Sequence, residues 1–377
     1  MTSTPGLPHI WVDQDTQLAE LCEHWQTADE LAMDTEFIRT DTFFPRPALF
    51  QIGDGAACYL LDVLALTNLE PLKKLLSVGP LKVFHSCSED LEMLNHWLGV
   101  LPQPMVDTQL AAGFALKDAG KGYQRLVEDL LGIHLEKGET RSDWLQRPLT
   151  PAQEKYAAQD VEYLLPLWQE LKKRLQDQGW LDAVLEESQW QVSEVATQES
   201  GQSWLRLKQA WQLDARQLAI LQALADWREE TARTRDRPRN RVASDVLLQA
   251  LASKEPSHPA AMTGLPEASP GWIKRYAQEV LPIIAEAGKI EEAAWPETRI
   301  SPLSREYKQT RKQLRQALAE QAEKLDVPQE LLARRKQQDA WLHELLKERK
   351  PELPAGYPAW KQGVLQEALN SLKVDES

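Results

Sequence analysis

Four acidic residues and one tyrosine are the side chains of this sequence whose types and spacing could support chemistry. Asp34 and Glu36 lie in LAMDTEF, Asp90 lies in VFHSCSEDLEML, and Tyr156 precedes Asp160 by four residues in YAAQDVEYL. Carboxylate oxygens without thiolate or imidazole partners favour Mg²⁺ or Mn²⁺ over zinc. Two such ions about 3.5 to 4 Å apart can activate a water molecule and stabilise the departing oxygen of a phosphodiester. The five residues therefore predict metal-dependent phosphodiester chemistry.

Each of these residues has an ordinary structural interpretation when it is taken alone. A D-x-E triplet usually lies on a solvated face, and an acid in the first turn of a helix compensates the helix dipole. Acids that occur in this order, on a strand, at a helix start and on a later helix with a tyrosine, arise together by chance less often than any one of them alone. Four carboxylates in one site would also repel each other by about 4 kcal/mol per close pair at an effective dielectric near 20, so cations must compensate them.

A predicted strand and a predicted helix position the first three acids. Side chains alternate between the two faces of a strand, so Asp34 and Glu36 should point to the same face. The short strand PLKVFHS precedes a helix in SEDLEMLNHWLG, and the spacing of Ser86 and Glu89 predicts a capping box at its start. Asp90 then lies in the first turn of that helix.

The best-marked helix carries the remaining two residues and is predicted to run from 151 to about 178. Thr150 is its predicted N-cap, with proline at the first helical position and glutamine three residues after the cap. Residues four apart on a helix share a face, so Tyr156 and Asp160 should line the same cleft.

The chain divides into one α/β region and two helical regions. From about residue 30 to 180 the sequence alternates between short apolar runs and helical segments, which predicts an α/β domain over residues 1–195, with a hairpin turn at Gly53-Asp54-Gly55. A polar stretch through about residue 203 predicts a weak helix or connector. Residues 208–290 and 295–377 then predict two all-helical domains, whose similar sizes fit a diverged duplication.

The composition places bounds on location and partners. The 377 residues exceed what one hydrophobic core usually serves. The net charge of -14 argues weakly against nucleic-acid binding, because phosphate affinity comes from Lys and Arg, but a local patch can be hidden in such a total. Three cysteines without a CxxC pair suit a reducing compartment. With no signal peptide or long apolar segment recognisable, we expect a cytoplasmic protein without membrane contact.

The segments that carry the five residues resemble the three exonuclease motifs of the DEDD superfamily, in its tyrosine subclass. Lys155, not histidine, stands five residues before Asp160, which argues against the histidine subclass. The stretches PMVDTQLAAGF and RSDWLQRPLTPAQEKYAAQDVEYLLPLW also resemble the ribonuclease D family. The resemblance covers roughly residues 8 to 190 and departs at none of the five positions. It implies a ribonuclease H-like exonuclease domain, with a mixed sheet flanked by helices.

The resemblance also implies a role for each residue. Asp34 would bridge two divalent cations, Glu36 and Asp160 would hold the ion on the nucleophile side, and Asp90 would support the second ion largely through water. Tyr156 would orient the attacking water. The implied activity is a 3'-to-5' exoribonuclease that releases 5'-mononucleotides from RNA 3' ends, with transfer-RNA precursors as the expected substrate. No small-molecule organic cofactor is expected, and the protein is expected to be a monomer.

The helical regions resemble HRDC domains, which help to bind structured RNA or DNA. The resemblance rests on LAILQALADWREETARTRDRPRNRVASDVLLQALA and WIKRYAQEVLPII, whereas the last region resembles a second, more diverged copy by order and size. Residues 228–241 hold six arginines against three acids, so this segment is a candidate for binding phosphates or, equally, a solvated charged loop. The candidate nucleic-acid contacts are Arg235, Arg237, Arg239 and Arg241, together with Trp144.

Two other residues near the motifs, His85 and Asp107, are interpreted as structural, because packed histidines are common and the four-acid set is already complete.

Two alternative functions fit the same motifs. A DNA 3'-to-5' exonuclease would use the same chemistry, since discrimination depends on contacts to the 2'-hydroxyl that no pattern here reveals. A catalytically silent nucleic-acid-binding adaptor would be expected to lack one or more of the acids, and all are present.

Overall fold

A computed structural model describes residues 6–136, 138, 142–197, 203–347, 349–350, 352–353 and 356–372. Residues 1–5 and 373–377 of the predicted domain ranges, and residues 198–202 of the predicted connector, lie outside this part of the chain. The boundaries 1–195, 208–290 and 295–377 therefore stay predictions. No helix among the described residues is long and apolar enough to cross a membrane.

The first region is built on a six-stranded mixed sheet in the order β1-β4-β3-β2-β5-β6. Strand β2 lies inside the sheet, antiparallel to β3 and parallel to β5. This architecture confirms the predicted fold class, and β3 and β4 form the predicted hairpin. The strands are β1 (His9–Val12), β2 (Glu30–Ile38), β3 (Arg46–Gly53), β4 (Cys58–Leu61), β5 (Leu81–Phe84) and β6 (Met105–Asp107).

Helices cover both faces of the sheet, and each face has its own core. Neighbouring residues of β2 alternate between these cores, since Ala32 packs in one and Met33 in the other. The polar stretch after residue 180 forms a helix, α8, which is one of the two predicted alternatives. The helices of this region are α1 (Asp15–Trp25), α2 (Glu70–Ser77), α3 (Ser88–Leu98), α4 (Thr108–Leu116), α5 (Tyr123–Leu131), α6 (Pro151–Glu162), α7 (Leu164–Gln178) and α8 (Leu181–Ala196).

The helix predicted from 151 to about 178 is in fact two helices. Helix α6 ends at Glu162, and α7 begins at Leu164. Pro166 explains the break, because a proline lacks the backbone N–H and its ring clashes with the carbonyl four residues earlier, which here belongs to Glu162. The predicted capping box at Thr150 is confirmed.

Two helical modules follow, and they are in register with each other. The first three helices of each module begin 90 residues apart, at 215, 239 and 245 in the first and at 305, 329 and 335 in the second. This spacing supports a duplication. The first module contains α9 (Ala215–Thr234), α10 (Arg239–Val242), α11 (Asp245–Lys254) and α12 (Pro270–Ala287). The second contains α13 (Arg305–Leu325), α14 (Gln329–Leu332), α15 (Arg335–Leu345) and α16 (Ala359–Asn370).

Both modules contact the sheet region through the turn after their first helix. Asp236 and Asp326 occupy equivalent positions and both have left-handed backbone conformations. The Asp236 carboxylate accepts hydrogen bonds from the backbone N–H groups of Phe43 and Phe44, each at 3.0 Å, and Asp326 pairs with Lys117. The first module forms a separate core around Phe43, whereas the second shares one core with the sheet region.

Candidate metal centre and active site

Three of the predicted acids converge at the middle of the sheet. Asp34 and Glu36 lie on β2 with one residue between them, and Asp160 lies on α6, which packs across β2, β3 and β4. Oxygen atoms of the three carboxylates lie within 4.8 Å of one another. Gly53 permits this packing, because a Cβ there would lie 3.0 Å from the Val161 carbonyl oxygen.

Asp90 lies beside this group, turned toward β2. It is buried in the first turn of α3, and its Oδ1 accepts a hydrogen bond from the Thr35 hydroxyl. Its charge nevertheless acts on the others, since it raises the pKa values of Asp34, Glu36 and Asp160. The structure therefore groups three acids tightly and holds the fourth within electrostatic reach.

The pKa values of all four acids are raised in the absence of a cation. Burial raises the pKa of Glu36 to about 9, with Asp160 and Asp90 adding to the shift. Burial also raises the pKa of Asp160 to about 8 and that of Asp90 to about 6. The pKa of Asp34 is raised well above its usual range by burial and then by the charges of Asp160, Asp90 and Glu36. This set of crowded oxygen donors fits a hard divalent cation, which would remove the repulsion.

Tyr156 is held against the acids with its proton retained. Its hydroxyl is hydrogen-bonded to the Asp160 carboxylate, and its pKa is raised by burial and then by the charges of Asp160 and Glu36. A tyrosine in this environment donates a hydrogen bond rather than accepting a proton. Positioning is thus the chemistry that its surroundings favour.

Trp144 supports Tyr156 from the side. The two rings are tilted with centroids 6.0 Å apart, and Trp144 is only 2% exposed. An indole this buried has no free face on which a nucleic-acid base could stack. The structure therefore gives Trp144 a packing role in place of the predicted substrate contact.

The turn that leads into α3 is held by a residue from outside the helix. The predicted capping box at Ser86 and Glu89 is wrong, because α3 begins at Ser88 and Ser86 has a left-handed conformation with φ of 58°. The carboxylate of Asp107 instead accepts hydrogen bonds from the backbone N–H groups of Ser86 at 2.8 Å and Cys87 at 3.2 Å. These contacts support the structural interpretation of Asp107, which fixes the turn ahead of Asp90.

A second support was not recognisable in the sequence. Arg39, at the end of β2, donates hydrogen bonds to both carboxylate oxygens of Glu92 on α3, at 2.8 and 2.9 Å. This pair braces the strand that carries Asp34 against the helix that carries Asp90. The nearby His85 is packed, since its Nδ1 lies 2.9 Å from the Thr108 hydroxyl.

Two of the four candidate arginines of the first module form ion pairs within the protein, and the other two form none with the described residues. Arg235 pairs with Glu279 at 2.7 Å, and Arg239 pairs with Glu229 at 2.5 Å while its guanidinium lies 4.4 Å from the centre of the Phe43 ring. Arg237 and Arg241 are exposed and form no ion pair within the described part of the chain. Half of the predicted phosphate contacts are therefore occupied by contacts within the protein.

Family models match two parts of the chain. A 3'-5' exonuclease model matches residues 9–176, which include all five site residues, and an HRDC domain model matches residues 217–284, in the first helical module. The exonuclease family is one of divalent-metal-dependent enzymes, in agreement with the acidic cluster.

Relatives match almost the whole chain. Ribonuclease D of Pseudomonas paraeruginosa is 38% identical over 95% of this chain and 96% of its own, and ribonuclease D of Escherichia coli is 36% identical over 96% and 97%. The crystal structure of Escherichia coli RNase D, an exoribonuclease involved in structured RNA processing, matches with a TM-score of 0.88 and 34% identity, covering 97% of this chain and 98% of that one. Because these relatives are more than 30% identical over almost the whole chain, the chain belongs to the ribonuclease D family.

Proposed function

We propose that this protein is a 3'-to-5' exoribonuclease that hydrolyses RNA phosphodiesters with two divalent cations, Mg²⁺ or Mn²⁺, and releases 5'-mononucleotides. The observation that carries the proposal is the convergence of Asp34, Glu36 and Asp160 within 4.8 Å, with carboxyl pKa values raised by burial and mutual repulsion. The near full-length likeness to ribonuclease D supports RNA as the polymer.

The four acids would hold the cations. Asp34, Glu36 and Asp160 present oxygens close enough to share one ion, and Asp90 lies where it would support a second. When bound, such ions supply Lewis acidity and lower the pKa of a water molecule. The chain's own contribution is to hold these oxygens in place, through the Thr35 hydroxyl on Asp90 and through the Arg39–Glu92 brace.

Tyr156 would orient the attacking water. It reaches the Asp160 carboxylate, keeps its proton and is fixed by Trp144, so its hydroxyl occupies one defined position beside the acids. With its O–H donated to Asp160, the fixed hydroxyl oxygen at that point can accept a hydrogen bond from a water, which restricts the orientation of the water without removing its proton.

The substrates would be 3' ends of structured RNA, with transfer-RNA precursors among them, and the protein would act as a monomer in the cytoplasm. Processing of structured RNA is the role of the Escherichia coli relative. Three free, buried cysteines suit a reducing compartment.

A time course on 5'-labelled RNA tests the activity, its polarity and its metal dependence together. We expect a ladder that shortens from the 3' end in Mg²⁺ or Mn²⁺ and stops in EDTA. A matched DNA oligonucleotide tests the alternative of a DNA exonuclease, which would be favoured by faster digestion of DNA. No release of nucleotides from any 3' end by the metal-loaded protein would contradict the proposal and leave a silent adaptor.

A further inference from the structure

The two helical modules use the same face of their first helix in different ways. Because the modules are in register, each residue of α13 has a counterpart 90 positions earlier in α9. Leu218, Leu221 and Ala225 on α9 are fully buried in the core of the first module. Their counterparts on α13 are Lys308, Arg311 and Arg315. A face that is core in one module is therefore cationic in the other.

Together with Lys312, these residues form what we call the α13 cationic face: Lys308, Arg311, Lys312 and Arg315. Spacings of three and four residues place them on one side of the helix. Lys308, Lys312 and Arg315 are exposed and Arg311 is partly exposed. Within the described residues none of the four side chains forms an ion pair, whereas the chain carries a net charge of -14.

The α13 cationic face lines an open groove of about 530 Å³. Its other walls are small or polar, formed by Gln316, Ala319 and Gln329. Unpaired cations in a groove repel each other, so an anionic ligand would stabilise this arrangement in the same way that cations stabilise the acidic centre.

We propose that the α13 cationic face binds the phosphate backbone of structured RNA. From Lys308 to Arg315 the helix rises about 10 Å, so the four charges can follow a row of phosphates better than they can surround one small anion. This inference rests on the proposed exoribonuclease function. It also assigns the main phosphate-binding site to the second module and not to residues 228–241 of the first, where most arginines form ion pairs.

The test compares two variants with the same change in net charge. The patch variant carries Lys308→Gln, Arg311→Gln, Lys312→Gln and Arg315→Gln. The control removes four scattered lysines that are exposed and form no ion pair with any described residue, through Lys173→Gln, Lys254→Gln, Lys274→Gln and Lys336→Gln. Binding of a 3'-extended hairpin RNA is measured by fluorescence anisotropy between 50 and 250 mM salt. Cleavage of a short unstructured RNA in Mg²⁺ is measured in parallel.

For the patch variant we expect an affinity loss on the order of 10²-fold near 0.1 M salt, and a plot of log affinity against log salt that is shallower by about 3 units. The control should keep the wild-type slope, and both variants should cleave the short RNA at the wild-type rate. A charge-preserving variant, with Lys308→Arg, Arg311→Lys, Lys312→Arg and Arg315→Lys, should bind as the wild type does.

Two results would overturn the inference. The first is wild-type affinity and slope in the patch variant. The second is equal loss in the patch and control variants, which would show that net charge and not this face governs binding. If the wild type fails to cleave the short RNA, the proposed function fails, and that outcome is read independently of the binding slopes.

Discussion

The acidic centre and the contact between the sheet region and the first helical module are both rich in charge, but only the contact balances it. At the contact, Asp236 receives two backbone hydrogen bonds, Arg239 is paired with Glu229, and Arg39 is paired with Glu92. At the centre, four carboxyl groups share one site without a cation of the protein beside them, among the residues that the structure describes. Charged side chains that are paired within the protein stabilise the fold, whereas charged side chains left unpaired indicate a ligand-binding site.

Removal of one acid from the centre should have the largest effect. Asp34→Asn should lower the rate of 3' trimming by about 10³-fold or more, because it removes a group that would hold the cations. The same change should raise the midpoint of thermal unfolding in EDTA, since it relieves repulsion. Single-turnover cleavage and thermal denaturation in EDTA measure the two effects.

Glu89→Gln is the matched control, because Glu89 is an exposed acid next to Asp90 in the same helix turn. It should change neither the rate nor the midpoint. A lower unfolding midpoint for Asp34→Asn in EDTA would show that Asp34 is stabilised by other groups of the protein. The acidic centre would then not differ from the contact with the first module in its charge balance.

Breaking a balanced pair should have the opposite effect on stability. Lys361 on α16 and Glu187 on α8 form a buried ion pair at 2.5 Å between the second module and the sheet region. Lys361→Met should destabilise the protein by about 3 kcal/mol, because Glu187 is left buried without its partner. Urea denaturation measures this change.

The double variant Glu187→Gln and Lys361→Met should recover much of that loss, since no charge remains buried. Equal destabilisation by the single and double variants would mean that packing, not charge balance, holds this contact.

Loss of the Tyr156 hydroxyl should affect rate without affecting metal binding. Tyr156→Phe keeps the ring against Trp144 and should lower kcat by about 10²-fold, within the range for a positioned proton-bearing group. The rise in unfolding temperature on addition of Mn²⁺ should match that of the wild type. A lost metal response would place Tyr156 among the groups that hold the cation.

The pH dependence of stability should be the most gradual effect. The pKa values of Glu36 and Asp160 are raised to about 9 and about 8, so between about pH 5 and 8 the folded protein retains protons that the unfolded chain releases. Its metal-free stability should therefore fall as pH rises, by about 1.4 kcal/mol per pH unit for each proton retained. Urea denaturation at several pH values in EDTA measures the slope.

Saturating Mg²⁺ should reduce that fall, because cations bind the deprotonated carboxylates. The double variant Glu36→Gln and Asp160→Asn should also show a weaker dependence. A metal-free stability that increases from pH 5 to 8 would contradict the raised pKa values.

Local patterns predicted much of the fold and failed where a distant residue or an overlooked proline intervened. Alternation placed Asp34 and Glu36 on one face, and the cap at Thr150 marked the start of α6 correctly. The capping box at Ser86 failed because the carboxylate of Asp107, 21 residues away, binds the backbone N–H of Ser86 that the Glu89 side chain would have bound. Pro166 ended the long helix through a local rule that the apolar stripe had obscured.

The sequence by itself determined which side chains could hold cations, since residue type and period-two or four-residue spacing are local properties. Only the tertiary structure decided which charges are balanced. Arg235 meets Glu279 across 44 positions, and Arg39 meets Glu92 across 53, so no spacing rule could show that these cations are occupied. For the same reason the sequence could not show that the cations of α13 have no acidic partner among the described residues, because pairing depends on distance in space and not along the chain.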